Sequence, residues 1–390
     1  MKGNGVAHRA TSDNHGARRW LMVSLTLVVA VFAVFAGTAS SATPRWSDGG
    51  SPKWKSVLKK ARAEGKLVLN GPPELPSTSF AKDFQKDTGI KLVLAAGESG
   101  VRGAAMRAQA KANKLSYDLA VGGAGELADM LPQGLLRPVA PQLMLADSTN
   151  LLKWKNHAIK YVDSQNKYLL QTTNSRWPVV YVNSSKVDPN SIASWKDLLN
   201  PKYKGKIAAY DPRAFAQGLL AAIVFNESFG TSYVRTLYGT QNITYSQDRT
   251  QLANWVARGT YDIVIAATPG DIAPFVKQGL PVKPVFPKDG PQFLTGSSSA
   301  LKQPQNANKT PGPHPNAATV FINWYASKNG QISFTKAMHD ISRRLDVPVP
   351  KDVPSYLVPA KKLTAIDTFS APIYGTPLSN TRKVIGQVVR

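Results

Sequence analysis

The chain has 390 residues, of which 43% are apolar, and it carries a formal charge of +24 with no cysteine. This length exceeds what one hydrophobic core usually organises, so it predicts a globular protein with two lobes. A chain without cysteine has no disulfide, no thiol nucleophile, no thiolate metal site and no lipid-modified cysteine of a lipoprotein.

The positive charge suggests an anionic ligand or an anionic surface nearby. The lysines are scattered along the chain, and no stripe of arginines is interleaved with aromatic residues. Because nucleic-acid-binding proteins usually concentrate their basic residues on one face, we expect no nucleic-acid partner.

The N-terminal residues resemble an export signal. Arg18 and Arg19 precede an apolar run over 20–36, and small residues follow over 37–42. This is the layout of a secretory signal peptide, and the run is shorter than the roughly 20 residues that span a bilayer. We therefore predict a signal peptide over 1–42 and a periplasmic or secreted mature protein, with Sec and twin-arginine export both left open.

The next part of the chain repeats a unit of strand, glycine-containing loop and helix. The recurrence of this unit predicts a parallel sheet within an α/β lobe. The predicted strands are 66–70, 90–95 and 117–121, and the predicted helices are 54–63, a helix capped by Ser77, and 101–113.

A second α/β region is predicted from about residue 179. Strands over 168–173 and 179–183 bracket Arg176 and Trp177, which we interpret as the first crossing between lobes. The return crossing is predicted at 282–286 and 293–300. Within the second region we predict helices over 215–225 and 249–257 and one that starts at 268, and strands over 206–210 and 261–266.

The domain organisation follows from these crossings. We predict that 43–178 and 287–345 form lobe 1, that 179–286 form lobe 2, and that 346–390 form a C-terminal tail packing on the lobes. The last helix is predicted to end near His339, and the proline-rich tail to run over the surface.

Four pieces of the sequence carry a family resemblance. They are 64–68 at the first strand, 194–213 with its serine cap, Pro201/Gly205 break and Asp-Pro-Arg loop, the crossing over 282–290, and 313–331 with its Pro-His-Pro-Asn-Ala-Ala start. In order and spacing they resemble bacterial extracellular solute-binding proteins of ABC transporters, in the branch that includes ferric-ion, polyamine, thiamine and sugar-phosphate binders. The resemblance covers about 54–338.

This resemblance implies a type II periplasmic-binding-protein fold, with two α/β lobes of mixed sheets joined by a strand hinge. It implies that the protein captures a small solute between the lobes by hinge closure and delivers it to a membrane permease. We expect a monomer that is not an enzyme and needs no cofactor. An anion or a ferric complex is the expected solute, while sugar phosphate, polyamine and thiamine stay open.

Candidate ligand residues lie at the turns that follow strands or open helices, because strand carboxyl ends and helix amino termini face the cleft in open α/β lobes. An arginine there offers a planar fork to phosphate or carboxylate. Alternatively, Arg102, Arg213 and Arg249 pair with their neighbours Glu98, Asp211 and Asp248. The candidates are Pro73, Glu74, Ser99, Gly100, Arg102, Gly123, Arg176, Trp177, Tyr210, Asp211, Arg213, Arg249 and Asp271.

Other chemistries have weaker signals. Ferric-ion binders of this family hold the metal with adjacent tyrosines, and this sequence has no Tyr-Tyr pair. We therefore predict no metal site, although Tyr210, Tyr233 and Tyr245 remain possible oxygen ligands.

Two segments resemble motifs of enzymes. Residues 296–300 approach a hydrolase elbow without its final glycine, and 123–128 match a dinucleotide fingerprint. An exported hydrolase on a similar fold and a polyanion-binding surface protein therefore remain alternatives.

Overall fold

A computed structural model describes residues 46–97, 99–296, 299–361 and 364–389. The predicted signal peptide over 1–42 lies outside the described residues. The described residues all belong to one compact unit. In the described part of the chain, no helix is both long and apolar enough to cross a membrane.

The described residues contain eleven α-helices and fifteen strands. The helices are α1 Pro52–Glu64, α2 Phe80–Thr88, α3 Ser99–Lys111, α4 Glu126–Asp129, α5 Ala146–Thr149, α6 Gln217–Thr240, α7 Arg249–Arg258, α8 Pro269–Lys277, α9 Pro315–Ala326, α10 Lys328–Met338 and α11 Thr376–Val388. The strands are β1 Lys66–Gly71, β2 Lys91–Ala96, β3 Leu119–Gly122, β4 Leu136–Arg137, β5 Lys160–Tyr161, β6 Leu170–Gln171, β7 Ser175–Arg176, β8 Val180–Asn183, β9 Ile207–Tyr210, β10 Thr244–Ser246, β11 Ile263–Ile265, β12 Val282–Pro284, β13 Gln292–Thr295, β14 Ala300–Pro304 and β15 Ala365–Asp367.

The first sheet has the order β2-β1-β3-β14-β6-β5, with β4 pairing on β14. Strands β2, β1 and β3 are parallel, and β14 runs antiparallel to β3. The position at which β1 begins is determined by the residue just before it. Helix α1 ends at Gly65, whose φ of 74° lies in the left-handed region that glycine adopts without strain. Aromatic residues of α2 and α9 cover this sheet, with Phe84 and Trp324 packed edge to face at 5.2 Å.

The second sheet has the order β10-β9-β11-β8-β12. Strands β10, β9 and β11 are parallel, and β8 is antiparallel to β11. The segment 194–213 contains the predicted serine cap, short helical turn and buried strand. Ser194 and Asp197 form a capping box at a short helical turn, and the buried strand β9 follows.

A third sheet, β15-β13-β7, is made by the crossing segments. The two predicted crossings pair with each other, because Arg176 lies opposite Leu294 in the antiparallel ladder of β7 and β13. This pairing confirms that the crossings run side by side. The lobe boundaries that we placed at 178/179 and 286/287 stay a prediction.

Three predicted elements differ from the structure. Ser79, not Ser77, precedes α2, since the hydroxyl of Ser77 donates to the carbonyl of Glu74 in a preceding turn. Helix α6 continues past residue 225 to Thr240, with a kink at Gly230, whose φ of 82° is not helical. His339 does not end the last helix, because the tail forms β15 and α11.

The tail folds because α11 has an apolar face. Leu378, Val384 and Ile385 are buried, and α11 packs along α6. Val384 and Ile385 belong to the same hydrophobic core as the second sheet. The apolar residues of α11 have helical spacing. The prolines before residue 376 nevertheless favoured an irregular tail, so the sequence did not predict this helix.

We predict that Ile385→Ala lowers the free energy of unfolding by about 2–5 kcal/mol, because it leaves a cavity in this core. Urea denaturation followed by circular dichroism measures the change. Lys383→Ala on the exposed face of α11 is the matched control and should change the stability by less than about 0.5 kcal/mol. Equal effects of the two substitutions would mean that the tail does not share the core.

Candidate functional site

A pocket of about 420 Å³ lies between the two large sheets. It is lined by the loops after β1, β2 and β3, by the end of β9, and by the beginnings of α6 and α7. These are carboxyl ends of parallel strands and amino ends of helices, which is where open α/β sheets bind ligands. Both large sheets therefore contribute walls to the same pocket.

Arg102 on α3 lines one wall and is held in place by polar contacts. Its Nε donates to the carbonyl of Gly97 at 2.6 Å, and its Nη1 donates to the side-chain oxygen of Asn70. Asn70, at the end of β1, is 1% exposed. These contacts fix the orientation of the guanidinium toward the pocket. Glu98, the partner expected from sequence, lies outside the described residues.

A buried ion pair lies behind the loop that follows β3. The Lys302 ammonium on β14 is 2.6 Å from a carboxylate oxygen of Glu126 and also donates to the carbonyl of Gly123. The Lys302 side chain is 2% exposed. Burial lowers the pKa of Lys302, and the Glu126 carboxylate opposes that shift. The ion pair therefore ties β14 to the loop that carries Gly123 and Gly125.

Arg107 and Asp129 form a second pair on the same wall, between α3 and α4. Both residues line the pocket. Burial raises the pKa of Asp129, although the charge of Arg107 opposes the shift. A ligand anion near this pair would compete with Asp129 for Arg107.

Arg249, at the start of α7, spans the pocket. Its Nη2 donates to Glu74 Oε1 at 2.9 Å, and its Nη1 lies 3.8 Å from Asp271 Oδ1. Burial raises the pKa of Asp271, and the charge of Arg249 opposes the shift. Asp248, the neighbour expected to pair with Arg249, instead caps α7 by accepting from the backbone N–H of Gln251.

Arg213 pairs with its neighbour Asp211, as the alternative reading of the sequence predicted. Its Nη2 and Nε lie 2.9 and 3.0 Å from the two carboxylate oxygens. Burial opposes ionisation of Asp211, but the hydrogen bonds from Arg213 lower its pKa below the usual value. The pair orders the loop after β9, and neither residue lines the pocket.

The opposite wall begins where α6 starts. Phe215, Ala216 and Gln217 line the pocket, and Ala216 caps α6 without a side-chain hydrogen bond. Two glycines permit the close approach: a Cβ on Gly218 would lie 2.3 Å from the carbonyl oxygen of Tyr210, and one on Gly125 would lie 2.6 Å from the Phe215 ring. The tail completes this wall with Phe369, Tyr374 and Arg382.

Nine of the thirteen predicted ligand residues lie in the pocket or beside it. Pro73, Arg102, Gly123, Tyr210 and Arg249 line the pocket. Glu74 and Asp271 contact Arg249, while Asp211 and Arg213 lie in the adjoining loop.

The remaining four predicted residues are placed differently. Arg176 and Trp177 lie at the crossing sheet, where the Arg176 guanidinium stacks 3.8 Å from the Phe286 ring. The backbone of Ser99 and Gly100 opens α3.

Sequence reasoning missed the residues that reach the pocket from unexpected elements. These are Arg107, Glu126 and Asp129 on one wall and Phe215, Phe369, Tyr374 and Arg382 on the other. Arg107 lies on the same predicted helix as Arg102, and its positive charge was the only available signal. The tail residues had no such signal, because they depend on the docking of α11.

The described residues offer little for metal binding or hydrolysis. They contain no group of three or more His, Cys, Asp or Glu side chains that could hold a metal ion. Tyr233 and Tyr245 donate to the backbone carbonyls of Trp195 and Tyr238. In the elbow-like segment over 296–300, Ser299 is buried and donates to the carbonyl of Gly296, and residues 297–298 lie outside the described part.

Comparisons with solved structures identify the fold. The structure resembles Trichodesmium IdiA (FutA) in complex with iron and citrate ligands, with a TM-score of 0.60, 20% identity, and coverage of 83% of this chain and 99% of that one. It also resembles AfuA from Actinobacillus pleuropneumoniae with fructose-6-phosphate bound, with a TM-score of 0.64, 19% identity, and coverage of 83% and 98%. The protein thus has the type II periplasmic-binding-protein fold predicted from its sequence.

The sequence itself places the chain in a family. Residues 79–360 match the family model described as bacterial extracellular solute-binding protein. The spermidine/putrescine-binding periplasmic protein of Escherichia coli K12 is 30% identical over 137 residues, which are 33% of this chain and 36% of that relative. The chain belongs to the bacterial extracellular solute-binding proteins, and it spans little more than a third of the length of the curated relatives that it matches.

We predict that Glu126→Gln lowers the free energy of unfolding at pH 7 by about 3–5 kcal/mol, because it leaves the Lys302 ammonium buried without its carboxylate. Chemical denaturation measures this change. Lys206→Met removes an exposed lysine 3.8 Å from Asp262 and should cost less than about 1 kcal/mol. Adding Lys302→Met to Glu126→Gln should recover most of the loss.

The pH dependence supplies a second test of the same pair. The pKa of Lys302 is lowered in the folded protein, so the unfolded chain binds more protons between the folded and unfolded pKa values, and stability rises with pH there. Loss of Glu126 lowers the folded pKa further. The deficit of Glu126→Gln should therefore shrink as the pH approaches 10, and a deficit that does not depend on pH would argue against a buried ammonium.

Proposed function

We propose that this protein is exported and captures an organic anion, or an anionic ferric complex, between the two walls of its pocket for delivery to a membrane permease. The supporting observation is the charge of the lining. Arg102, Arg107, Arg249 and Arg382 line the pocket, against the carboxylates of Glu126 and Asp129. Guanidinium groups bind phosphate and carboxylate in a planar, bidentate manner.

The arginines come from both sides of the pocket. Arg102 and Arg107 lie on α3, which packs with the first sheet, while Arg249 opens α7 beside the second sheet. A solute held by both sets gains contacts that exist only when the walls approach each other. Such differential contacts are what a ligand needs to shift a protein toward a closed form.

The names of the similar proteins suggest different solutes. Structural neighbours carry iron with citrate or fructose-6-phosphate, and a curated relative binds spermidine and putrescine. The excess of arginine over carboxylate in the lining favours the anionic ligands over polyamines. With no metal-binding cluster among the described residues, iron would enter as an anionic complex.

We propose that the protein binds its solute and catalyses no reaction. The family and its structural neighbours are solute-binding proteins. The mature protein is proposed to act as a monomer in the periplasm or outside the cell, after removal of residues 1–42. The chain has no cysteine for lipid attachment.

Native mass spectrometry of freshly purified protein tests the proposal directly, because a tightly bound solute is retained and weighed. A thermal-shift panel of citrate, ferric citrate, fructose-6-phosphate and spermidine complements it, since ligands that prefer the native state raise the melting temperature. Stabilisation by the anions and not by spermidine is expected. Stabilisation by spermidine alone would contradict the anionic assignment.

We predict that Arg102→Gln weakens binding of the stabilising anion by about 10-fold or more, because a charge-assisted hydrogen bond is lost. Isothermal titration calorimetry gives the dissociation constant. Arg213→Gln is the matched control: Arg213 is held by Asp211 outside the pocket, and its loss should leave the affinity essentially unchanged. Equal weakening by both would indicate a general effect of net charge.

A further inference from the structure

The C-terminal segment over 364–389 crosses from one wall of the pocket to the other. It begins with β15, which pairs with β13 in the crossing sheet. The turn Ala371–Tyr374 then contacts α4 beside the first sheet, and α11 packs on α6 beside the second. This single segment therefore contacts both walls of the pocket, through α4 on one side and α6 on the other.

The segment gives the pocket an aromatic surface. Phe369 and Tyr374 line the pocket together with Phe215 from the loop before α6. The rings of Phe215 and Tyr374 are 6.2 Å apart and inclined at 43°. The Arg382 guanidinium lies 5.1 Å from the centroid of the Phe215 ring, within the range of a cation–π contact.

The aromatic side chains are fixed from behind. Leu219 and Ile223 of α6 form a hydrophobic cluster with Ile373 and Leu378 of the C-terminal segment, and Phe215 and Tyr374 pack against it. Burial also raises the pKa of Tyr374 well above its usual range, so the phenol is neutral at physiological pH. The surface offered to a ligand is rigid and uncharged, with an arginine at its side.

The lining of the pocket thus combines a positively charged part with an aromatic part. Arg102, Arg107 and Arg249 supply positive charge, and the aromatic surface supplies flat apolar area. A volume of about 420 Å³ falls in the range of pockets for organic ligands, which begins at roughly 300 Å³. A small inorganic anion would satisfy the arginines and leave the aromatic side unfilled.

We propose that the C-terminal segment is the specificity element of this pocket and that it selects an anion bearing a planar apolar group, which packs on Tyr374 and Phe215. This inference rests on the proposed function, because it assigns the non-ionic half of the same solute. The arginines bind the anionic group of any such compound. The aromatic surface distinguishes between compounds that share that group.

Two phosphate monoesters with the same charged group test the inference. Phenyl phosphate carries a planar ring, and methyl phosphate does not. Wild-type protein should bind phenyl phosphate at least about 10-fold more tightly in calorimetric titrations, since stacking adds to the burial of apolar area. Tyr374→Leu should reduce that preference below about threefold.

Tyr356→Leu is the matched control. Tyr356 also lies in the tail, but it packs on Phe286 at 5.9 Å, away from the pocket. This variant should keep the preference for phenyl phosphate. Thermal denaturation of both variants checks that each is folded, and Phe215→Leu provides a second pocket variant with the same expected loss of preference.

The outcomes separate this inference from the proposed function. Equal affinity of wild-type protein for the two esters would leave an anion-binding pocket in place and overturn only the role of the C-terminal segment. An unchanged preference in both Tyr374→Leu and Phe215→Leu, or an equal loss in Tyr356→Leu, would also overturn it. Binding of neither ester, together with a retained solute that is neutral or cationic, would overturn both proposals.

Discussion

The pairing of the crossing segments is the constraint on which the rest of the structure depends. Strands β7, β13 and β15 lie side by side in one small sheet, so the chain passes between the two large sheets at a single place. Breaking one of the hydrogen bonds between these strands would leave a backbone N–H and a backbone carbonyl without partners. This arrangement brings α3, α7 and the tail to one pocket although they are far apart in sequence.

The charges of the pocket depend on how their partners hold them. Arg102, Arg107 and Arg249 all contact oxygen atoms of the protein, so their guanidinium groups are oriented before a solute arrives. An oriented arginine loses less conformational entropy on binding than a mobile one. Behind the same wall, Lys302 and Glu126 are buried together, and removal of one member of such a pair leaves the other charge buried without its partner.

The sequence predicted the parts of the fold that depend on interactions between residues close together in the chain. The end of α1 at Gly65, the capping box at Ser194 and the buried strand β9 all follow from neighbouring residues. The contact of Glu74 with Arg249 joins residues 175 positions apart, and no periodicity encodes it. The sequence therefore predicted the loops that meet at the pocket, but it could not predict which side chains pair across it.

The tail shows why stability and the candidate specificity surface are linked in this protein. Val384 and Ile385 fill the core of the second sheet, while Tyr374 and Arg382, from the same segment, line the pocket. Because the short turn Ala371–Tyr374 joins β15 to α11, a shift of the helix moves the aromatic surface with it. Changes of solute preference within such a fold are then easier through side chains on the turn than through repacking of α11, since only the former leave the core intact.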